Sequence, residues 1–349
     1  MPPVPRGLIY VSDQARGIRR ARRRARRKKG RKNAPPRFDY FGPSGRRIRD
    51  ARTLARIAKL AIPPAYEDVW ICTNPRGHLQ ATGRDARGRK QYRYHPDWSA
   101  ARDDHKHSRM LSFGKCLGRL RAGVRRDLKR PGLPREKVLA LVVKLLDATQ
   151  VRVGNAEYAR SNGSFGLTTL RNRHARFPGR GKALLHFRGK GGAAHEVLVD
   201  DARLAQLVRR CQELPGQALF QYVDEDDNRR AIDSGQVNDY LRERMGGEFT
   251  AKDFRTWHAT LHALTLLDNL PVPERRTDTA IRRCINTVVK EVAAGLRNTP
   301  AVCRKSYINP AVFDAWQNGS LRRRATHGRP VQRLLTLLGR APANGSSRT

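Results

Sequence analysis

Residues 135–150 read REKVLALVVKLLDATQ, and their apolar residues follow the spacing of an α-helix. Segments with the same periodicity lie on both sides of this one along the chain. They are SFGKCLGRLRAGVRRDL (112–128), DARLAQLVRRCQEL (201–214), SGQVNDYLRERM (234–245), AKDFRTWHATLHALTLLDN (251–269) and TAIRRCINTVVKEVAAGL (279–296). A mostly helical domain is therefore predicted downstream of about residue 100.

Strand patterns occur in two places. The segment KALLHFRGKGGAAHEVLV (182–199) predicts two strands joined by a glycine-rich turn with Lys190 at its tip. Between residues 37 and 100, short apolar runs alternate with turn formers and predict antiparallel strands, interrupted by one helix in RDARTLARIAKLAI (49–62). The predicted fold class is α+β, with a small β-rich N-terminal domain and a larger, mostly α-helical domain that contains a small β-hairpin.

Four regions are predicted from composition and periodicity. Residues 1–36 form an N-terminal segment whose stretch 16–32, RGIRRARRRARRKKGRK, has no repeated apolar face and is expected to be a solvated basic arm. Residues 37–100 form the β-rich domain, residues 101–319 the mostly helical domain, and residues 320–349 a C-terminal tail, of which the end, APANGSSRT (341–349), is expected to be loose. The arm either contacts phosphates or only aids solubility.

The net charge of the chain indicates an acidic partner. Lys and Arg number 72 against 31 Asp and Glu, which gives +41, while 38% hydrophobic residues suffice for a core. Basic residues lie along most of the chain rather than on one amphipathic helix, which favours nucleic acid over a membrane surface. With no long apolar run and five scattered cysteines, the sequence predicts a cytoplasmic protein with buried thiols.

Several common enzyme motifs are missing from the sequence. It contains no G-x-x-x-x-G-K-[ST], H-E-x-x-H or G-x-S-x-G motif. If the protein cleaves phosphodiesters, arginine and lysine must neutralise the charge on the phosphate. A guanidinium suits that task because its planar fork donates to two oxygens at once and stays protonated.

Four segments stand out from the basic background. They are Val151–Asn155 (VRVGN), residues 187–192 (FRGKGG), Lys252–Thr256 (KDFRT) and Asn298–Ile308 (NTPAVCRKSYI). Each has an ordinary explanation: a turn lysine is usually solvated, an arginine on a helix usually pairs with a carboxylate, and a tyrosine at a helix end usually packs in the core. A nucleophilic Tyr307 would need nearby cations to activate a phenol whose pKa is about 10.

Taken together and in this order, the four segments resemble the type IB DNA topoisomerases of the small poxviral and bacterial kind. The resemblance extends from about residue 7 to residue 319, apart from a basic insertion near 21–33. The segment 298–310 is its most specific motif. VRVGN and KDFRTW are moderately specific, and FRGK is weak without the others.

The resemblance implies a monomeric clamp that closes a β-rich lobe and a helical catalytic lobe around supercoiled duplex DNA. Tyr307 would attack a phosphodiester to form a 3′-phosphotyrosyl bond, and Arg152 and Arg255 would hold the nonbridging oxygens. Lys190 would protonate the departing 5′ oxygen. Supercoils would relax while the free end swivels, without ATP, metal or any other cofactor.

Asn298 is a point of difference within the family. Poxviral relatives carry histidine nine residues before the tyrosine, whereas bacterial members resemble this chain in having asparagine. An amide donates a hydrogen bond but carries neither a proton to transfer nor a charge. Asn298 would therefore orient the phosphate, and its contribution would be insensitive to pH.

The resemblance also implies DNA-binding residues outside the four segments. The stretch ATGRDARGRKQYRYH (81–95) looks like the family's DNA-gripping segment, which would turn Arg89, Gln91, Tyr92 and Tyr94 towards the duplex. An exposed aromatic hairpin without that role is the alternative. Tyr158, six residues after Arg152, matches a tyrosine that contacts the DNA backbone in relatives.

Two other classes compete with this reading. Tyrosine recombinases use a similar set of arginine, lysine and tyrosine, but they usually carry H-x-x-R where this chain has Lys252 in K-x-x-R, and they lack a GRKQYRY-type domain. A nonenzymatic basic DNA-packaging protein would explain the charge and leave the four segments to coincidence. The sequence favours the topoisomerase.

Overall fold

The computed structural model describes residues 4–23, 37–86, 88–179, 181–321 and 329–340, with the side chains of 103–105 left out. The chain divides into two compact units, residues 1–106 and 107–349. Both the N-terminal antiparallel sheet and the mostly helical second unit agree with the predicted α+β class.

The N-terminal unit contains a five-stranded antiparallel sheet in the order β2-β1-β3-β4-β5. Its strands are β1 Ile18–Arg22, β2 Phe38–Phe41, β3 Glu67–Ile71, β4 Leu79–Arg84 and β5 Lys90–Tyr94. Helix α1, Ala51–Lys59, begins at Asp50, whose carboxylate accepts a hydrogen bond from the Thr53 amide. Ile57 of this helix joins Ile18 and Ile71 in a small apolar core.

The structure corrects the prediction that residues 16–32 form a solvated arm. Residues 18–22 of that stretch are β1, which pairs with both β2 and β3. The guanidinium of Arg20 donates to the carbonyls of Pro63 and Tyr66 and lies over the Phe38 ring, so this arginine is part of the sheet's packing. Carbonyl partners and an aromatic face replace the water that a charge in a strand would otherwise need. The rest of the arm, from residue 24, lies outside the described residues.

The second unit is built on helices with a common apolar core. Its helices are α2 Pro96–Asp127, which begins in the N-terminal unit, α3 Arg135–Thr149, α4 Ala156–Asn162, α5 Ala202–Glu213, α6 Ser234–Met245, α7 Ala251–Asn269, α8 Asp278–Leu296, α9 Pro300–Ser306, α10 Ala311–Gln317 and α11 Pro330–Arg340. Helix α3 is buried almost all round, as its apolar sequence requires of a central helix. Among the described residues, no helix has both the length and the apolar character needed to span a membrane.

The glycine-rich hairpin predicted at 182–199 is confirmed. Strands β6 Ala175–Gly179, β7 Lys182–Arg188 and β8 Ala194–Val199 form an antiparallel sheet, and Lys190 lies in the β7–β8 turn. Helix α5 packs on β6 and β7. A short antiparallel pair, β9 Gln221–Val223 and β10 Arg229–Ala231, was not predicted.

The region predicted as a C-terminal tail, 320–349, contains helix α11. Leu334 and Leu338 of this helix are buried, and Arg333 bonds to the carboxylate of Asp268 on α7 and to the carbonyl of Leu321. Apolar residues four apart on one helix face explain why the segment packs on the core. Residues 322–328 and 341–349 lie outside the described part of the chain.

Two smaller predictions also differ from the structure. The helical domain was predicted to begin at residue 101, yet α2 begins at Pro96. Of the five cysteines expected to be buried, Cys72, Cys211 and Cys303 are, whereas Cys116 and Cys284 are half-buried; none of the five forms a disulfide bond. Burial raises the pKa of Cys211 to about 12, so this thiol is unreactive at neutral pH.

The contact between α2, α7 and α11 at Gly114 is a test of this packing. A Cβ at Gly114 would lie 2.4 Å from ring carbons of Trp257 and 2.7 Å from a methyl of Leu335. Gly114→Ala should therefore lower the free energy of unfolding by about 1–3 kcal/mol, because Trp257 is fully buried and cannot move aside. Urea unfolding measures the change.

Gly118→Ala is the matched control, one turn further along α2, because a Cβ there meets open space. Alanine favours the helix, so this variant should gain up to about 1 kcal/mol. Equal stability of the two variants would show that the helices do not approach each other as described.

Candidate active site

Arg152 lies in the extended segment 151–155, which connects α3 to α4. Helix α3 ends at Gln150 in the left-handed conformation, and the carbonyl of Arg152 then accepts a hydrogen bond of 2.9 Å from the Leu167 amide. Gly154, at φ +110°, and Gly166 pass so closely that a Cβ on Gly166 would lie 2.5 Å from the Gly154 nitrogen. Glycine at these two positions lets the backbone of segment 151–155 approach the backbone of residues 166–168 closely.

Arg255 is a buried cation on α7, with a side chain that is only 4% exposed. Its guanidinium donates to the carbonyl of Gln150 and, at 2.8 Å, to the carbonyl of Leu296. Both acceptors lie at helix C-termini, α3 and α8, where carbonyls lack partners within the helix and the dipole favours a positive charge. The guanidinium carbon is 5.2 Å from the centre of the Tyr307 ring.

Asn298 follows the end of α8 and contacts Arg152. Arg297 takes the left-handed conformation with φ 51° and closes the helix, and the amide of Asn298 donates to the carbonyl of Ala293. The Oδ1 of Asn298 accepts a hydrogen bond of 2.8 Å from the Arg152 guanidinium. Its Nδ2 is buried and has no hydrogen-bond partner among the described residues, so one of its donors is unused.

Tyr307 is the residue at which α9 ends. The helix starts with Thr299 as its cap and Pro300 at its first position, and the Tyr307 amide donates to Cys303. Thr260 of α7 secures the next turn of chain: its Oγ1 lies 3.2 Å from the Tyr307 carbonyl and accepts a 3.0 Å hydrogen bond from the Asn309 amide. The phenol ring is half-buried beside Arg255.

The charges around Tyr307 favour its ionised form. Burial alone would raise the pKa of the phenol, because a phenolate loses water as a partner. The guanidinium groups of Arg255 and Arg152, with a smaller contribution from the ammonium of Lys252, outweigh burial and lower the pKa of Tyr307. A phenol with a lowered pKa is a better nucleophile near neutral pH.

Lys190 is the predicted site residue that lies apart from this cluster. It is exposed in the β7–β8 turn and makes no hydrogen bond or ion pair with other described residues. The hairpin itself is held near the site, because Arg297 donates to the carbonyls of Ala194 and Glu196 on β8. The structure thus brings four predicted residues together and places the hairpin of the fifth beside them.

Comparison with known proteins identifies the family. The catalytic core of eukaryotic DNA topoisomerase I matches residues 93–322, and the N-terminal domain of bacterial DNA topoisomerase IB matches residues 37–85. DNA topoisomerase 1B of Acanthamoeba polyphaga mimivirus is 32% identical over 295 residues, which cover 82% of this chain and 87% of the viral protein. The chain belongs to the type IB DNA topoisomerases. It is accordingly an enzyme, as the resemblance predicted.

Poxviral topoisomerases are more distant relatives of this one. DNA topoisomerase 1 of rabbit fibroma virus is 23% identical over 244 residues, covering 66% of this chain and 70% of its own. DNA topoisomerase 1B of vaccinia virus is 22% identical over 259 residues, covering 71% and 75%.

The residues predicted to contact DNA in the N-terminal unit of this topoisomerase fall into two pairs. Tyr92 and Tyr94 lie on one face of β5 with parallel rings 6.1 Å apart, and both are exposed. Arg89 and Gln91 each donate to the carboxylate of Asp85. Neighbouring residues of a strand point to opposite faces, so strand geometry alone does not direct all four side chains to one surface.

The rings of Tyr92 and Tyr94 continue into an aromatic row with two residues that the sequence did not predict, exposed Tyr10 and buried His78. The ring of Tyr10 stacks on His78 at 4.2 Å, and His78 lies 6.2 Å from Tyr94, so an aromatic row runs from Tyr10 to Tyr92. Val11 fixes His78 by donating its amide to Nδ1 at 3.1 Å. Tyr10 comes before the predicted β-rich domain, and no local pattern marks it as a surface residue of the sheet.

Tyr158, the remaining predicted DNA contact, lies on α4 in the topoisomerase's helical unit. Its amide donates to the side chain of Asn155, which caps α4. Tyr158 is 52% exposed, six residues after Arg152 along the chain.

The cations near Tyr307 should lower the pH at which its phenol titrates. In protein labelled with ¹³C at the tyrosine ζ carbons, the resonance that Tyr307→Phe removes should titrate below the ordinary tyrosine pKa of about 10. Arg152→Ala removes one of the cations that lower this pKa, so the titration should move to higher pH. Arg160→Ala, an exposed arginine paired with Glu157, is the control and should leave it unchanged. If Arg152→Ala left the titration of the Tyr307 resonance unchanged, the charge of Arg152 would not act on the phenol as inferred here.

Proposed function

We propose that this topoisomerase relaxes supercoiled duplex DNA by cutting one strand with Tyr307 and resealing it, without ATP or a metal ion. The observation that carries the proposal is the grouping of Arg255, Arg152 and Asn298 around the Tyr307 ring. These three side chains supply two positive charges and a free amide donor beside one phenol. Together they could perform the charge neutralisation that bound cations perform in other strand-cleaving enzymes.

The scissile phosphate would lie between the phenol and the Arg152–Asn298 pair. One N–H of Arg152 donates to Asn298, and its other N–H groups can donate to a nonbridging oxygen. Asn298 would add its unpartnered Nδ2 to the same phosphate. Arg255 is fixed by two backbone carbonyls, so it would contribute a preorganised charge that needs no reorientation during the reaction.

The chemistry consists of two transfers of one phosphoryl group. The Tyr307 oxygen attacks phosphorus and gives its proton to solvent water, the bond from phosphorus to the 5′ oxygen breaks, and that oxygen takes a proton from Lys190. A 3′-phosphotyrosyl bond and a 5′-hydroxyl result, and the cut strand can swivel about the intact one. The 5′-hydroxyl then attacks the phosphotyrosine and returns its proton to neutral Lys190, and Tyr307 leaves as a phenolate that regains its proton from solvent water.

Lys190 would have to approach the phosphate when DNA binds. Its neighbours Gly191 and Gly192 have φ of 78° and 84°, in the region where glycine is favoured, so the turn can change conformation at small cost. Because the lysine is exposed and without a described partner, no ion pair needs to break for it to reach the DNA. Lys190 would then join the other catalytic residues only when DNA is bound.

DNA would be held by both units. The aromatic row, Arg89 and Gln91 of the N-terminal unit, and Tyr158 of the helical unit, would contact the duplex, and the net charge of +41 would attract it by counterion release. We propose that one chain suffices, acting as a monomeric clamp that closes its two units around the DNA of the cell's nucleoid.

Relaxation of negatively supercoiled plasmid in EDTA without ATP tests the function. The wild-type protein should produce a ladder of relaxed topoisomers, and SDS should trap protein attached to 3′ ends. Tyr307→Phe removes only the nucleophilic oxygen, so it should bind DNA with unchanged affinity and give neither relaxation nor adducts. Relaxation by Tyr307→Phe would exclude Tyr307 as nucleophile, and strand exchange at a defined site in place of relaxation would indicate a recombinase.

The proposed role of Lys190 as proton donor is tested by replacing the leaving 5′ oxygen with sulfur, which is a better leaving group. Lys190→Ala should slow cleavage by about 10²–10⁴-fold on an ordinary duplex, because the 5′ oxygen leaves without a proton. A duplex with 5′ sulfur at the scissile phosphate needs little protonation and should restore most of the rate. Lys182→Ala, at the other end of β7 beside Asp200, is the matched control and should cleave normally. Failure of sulfur to rescue Lys190→Ala would mean that Lys190 only binds phosphate.

A further inference from the structure

A buried histidine that the mechanism does not use lies beneath the turn that carries Lys190. His195 is on β8, 5% exposed, and its ring stacks on that of Phe187, its direct partner on β7, at 4.9 Å and 12°. We propose that His195 is a positioning residue whose ring supports the Gly189–Lys190 backbone and so directs Lys190 towards the site of Tyr307. This inference rests on the proposed role of Lys190 as general acid.

The contact with the turn is close. A Cβ placed on Gly189 would lie 2.5 Å from both Cδ2 and Nε2 of His195, so only glycine lets the backbone rest on the ring. Gly189 has φ −96°, which any residue can adopt. Glycine is therefore required at this position by the histidine ring and not by the backbone conformation. The turn closes above the ring with a 2.8 Å hydrogen bond from the Gly189 amide to the carbonyl of Ala193.

The ring is itself tied to the site. Arg297 donates to the carbonyls of Ala194 and Glu196, the residues on either side of His195. Arg297 adjoins Asn298, whose Oδ1 holds Arg152. An uninterrupted set of contacts thus joins the support of Lys190 to the residues proposed to bind the phosphate.

The charges around the ring keep it neutral. Burial, reinforced by the guanidinium groups of Arg297, Arg152 and Arg255, lowers the pKa of His195 to about 4. At neutral pH the imidazole therefore has no proton to give to a leaving oxygen and adds no repulsion to three nearby cations. These properties suit a supporting surface and exclude a second general acid.

The test compares oxygen and sulfur leaving groups in variants on both sides of the contact. His195→Ala removes the ring, and Gly189→Ala pushes against it. Both should slow cleavage of the ordinary duplex by about tenfold to a hundredfold, because Lys190 is displaced by roughly an ångström. On the 5′-sulfur duplex both should cleave nearly as fast as wild type, which also demonstrates that they are folded and that Tyr307 is intact.

Two controls share the same sheet. His186→Ala removes an exposed histidine of β7, and Gly179→Ala adds a Cβ in open space at the end of β6, so both should cleave either substrate normally. A wild-type rate for both His195→Ala and Gly189→Ala on the ordinary duplex would overturn the inference. Equal slowing on both substrates would also overturn it, because the defect would then not pass through Lys190.

Lys190→Ala in the same series separates the two proposals. If sulfur rescues Lys190→Ala but not His195→Ala or Gly189→Ala, the general acid stands and the positioning role of His195 is wrong. If sulfur does not rescue Lys190→Ala itself, the proposed role of Lys190 fails first. In a double-variant cycle, adding His195→Ala to Lys190→Ala should cause little further loss, since both remove the same proton transfer.

Discussion

The organisation of the site depends on one buried charge, the guanidinium of Arg255. A cation that is 4% exposed must find hydrogen-bond acceptors inside the protein, and Arg255 finds them at the C-termini of two helices, α3 and α8. The two carbonyls belong to Gln150 and Leu296. Each lies two residues before another member of the site, Arg152 and Asn298 respectively. The two hydrogen bonds of this one guanidinium therefore hold the starting points of both segments that meet beside Tyr307.

The site consequently has a rigid part and an adaptable part. Arg152, Arg255, Asn298 and Tyr307 belong to segments held by backbone hydrogen bonds and helix ends, which is the preorganisation that stabilisation of a charged transition state requires. Lys190 stands outside this group on a turn with three glycines. An acid that can approach only with the substrate would leave the free protein without a complete catalytic set, which would protect it from unproductive reactions.

Local sequence predicted most of the regular structure, because periodicity reports which face of an element is buried. Helices α3 and α7 and the β7–β8 hairpin agree with their patterns. Strand β1 was missed because arginine dominates it, and its burial depends on carbonyls more than 40 residues away, contacted by Arg20. Helix α11 was missed because composition alone suggested a tail.

The site was less accessible to sequence than the fold. Its residues were found through the resemblance, since Arg152 and Asn298 are 146 positions apart and nothing local links them. Arg297 and His195 escaped notice for physical reasons. One arginine among so many carries no signal, and a histidine in a strand is recognisable as a support only when the glycine above it is seen in three dimensions.

The seating of α11 on α7 has a consequence for synthesis on the ribosome. Arg333 and Leu335 complete the packing around Asp268 and Trp257, yet they are translated after Tyr307 and every other residue of the site. Because a domain folds as a unit once its chain has emerged, a nascent chain that stops before residue 330 leaves this side of α7 in water. Asp268 and Trp257 would thus reach their final packing only after the stretch up to residue 340 had left the exit tunnel.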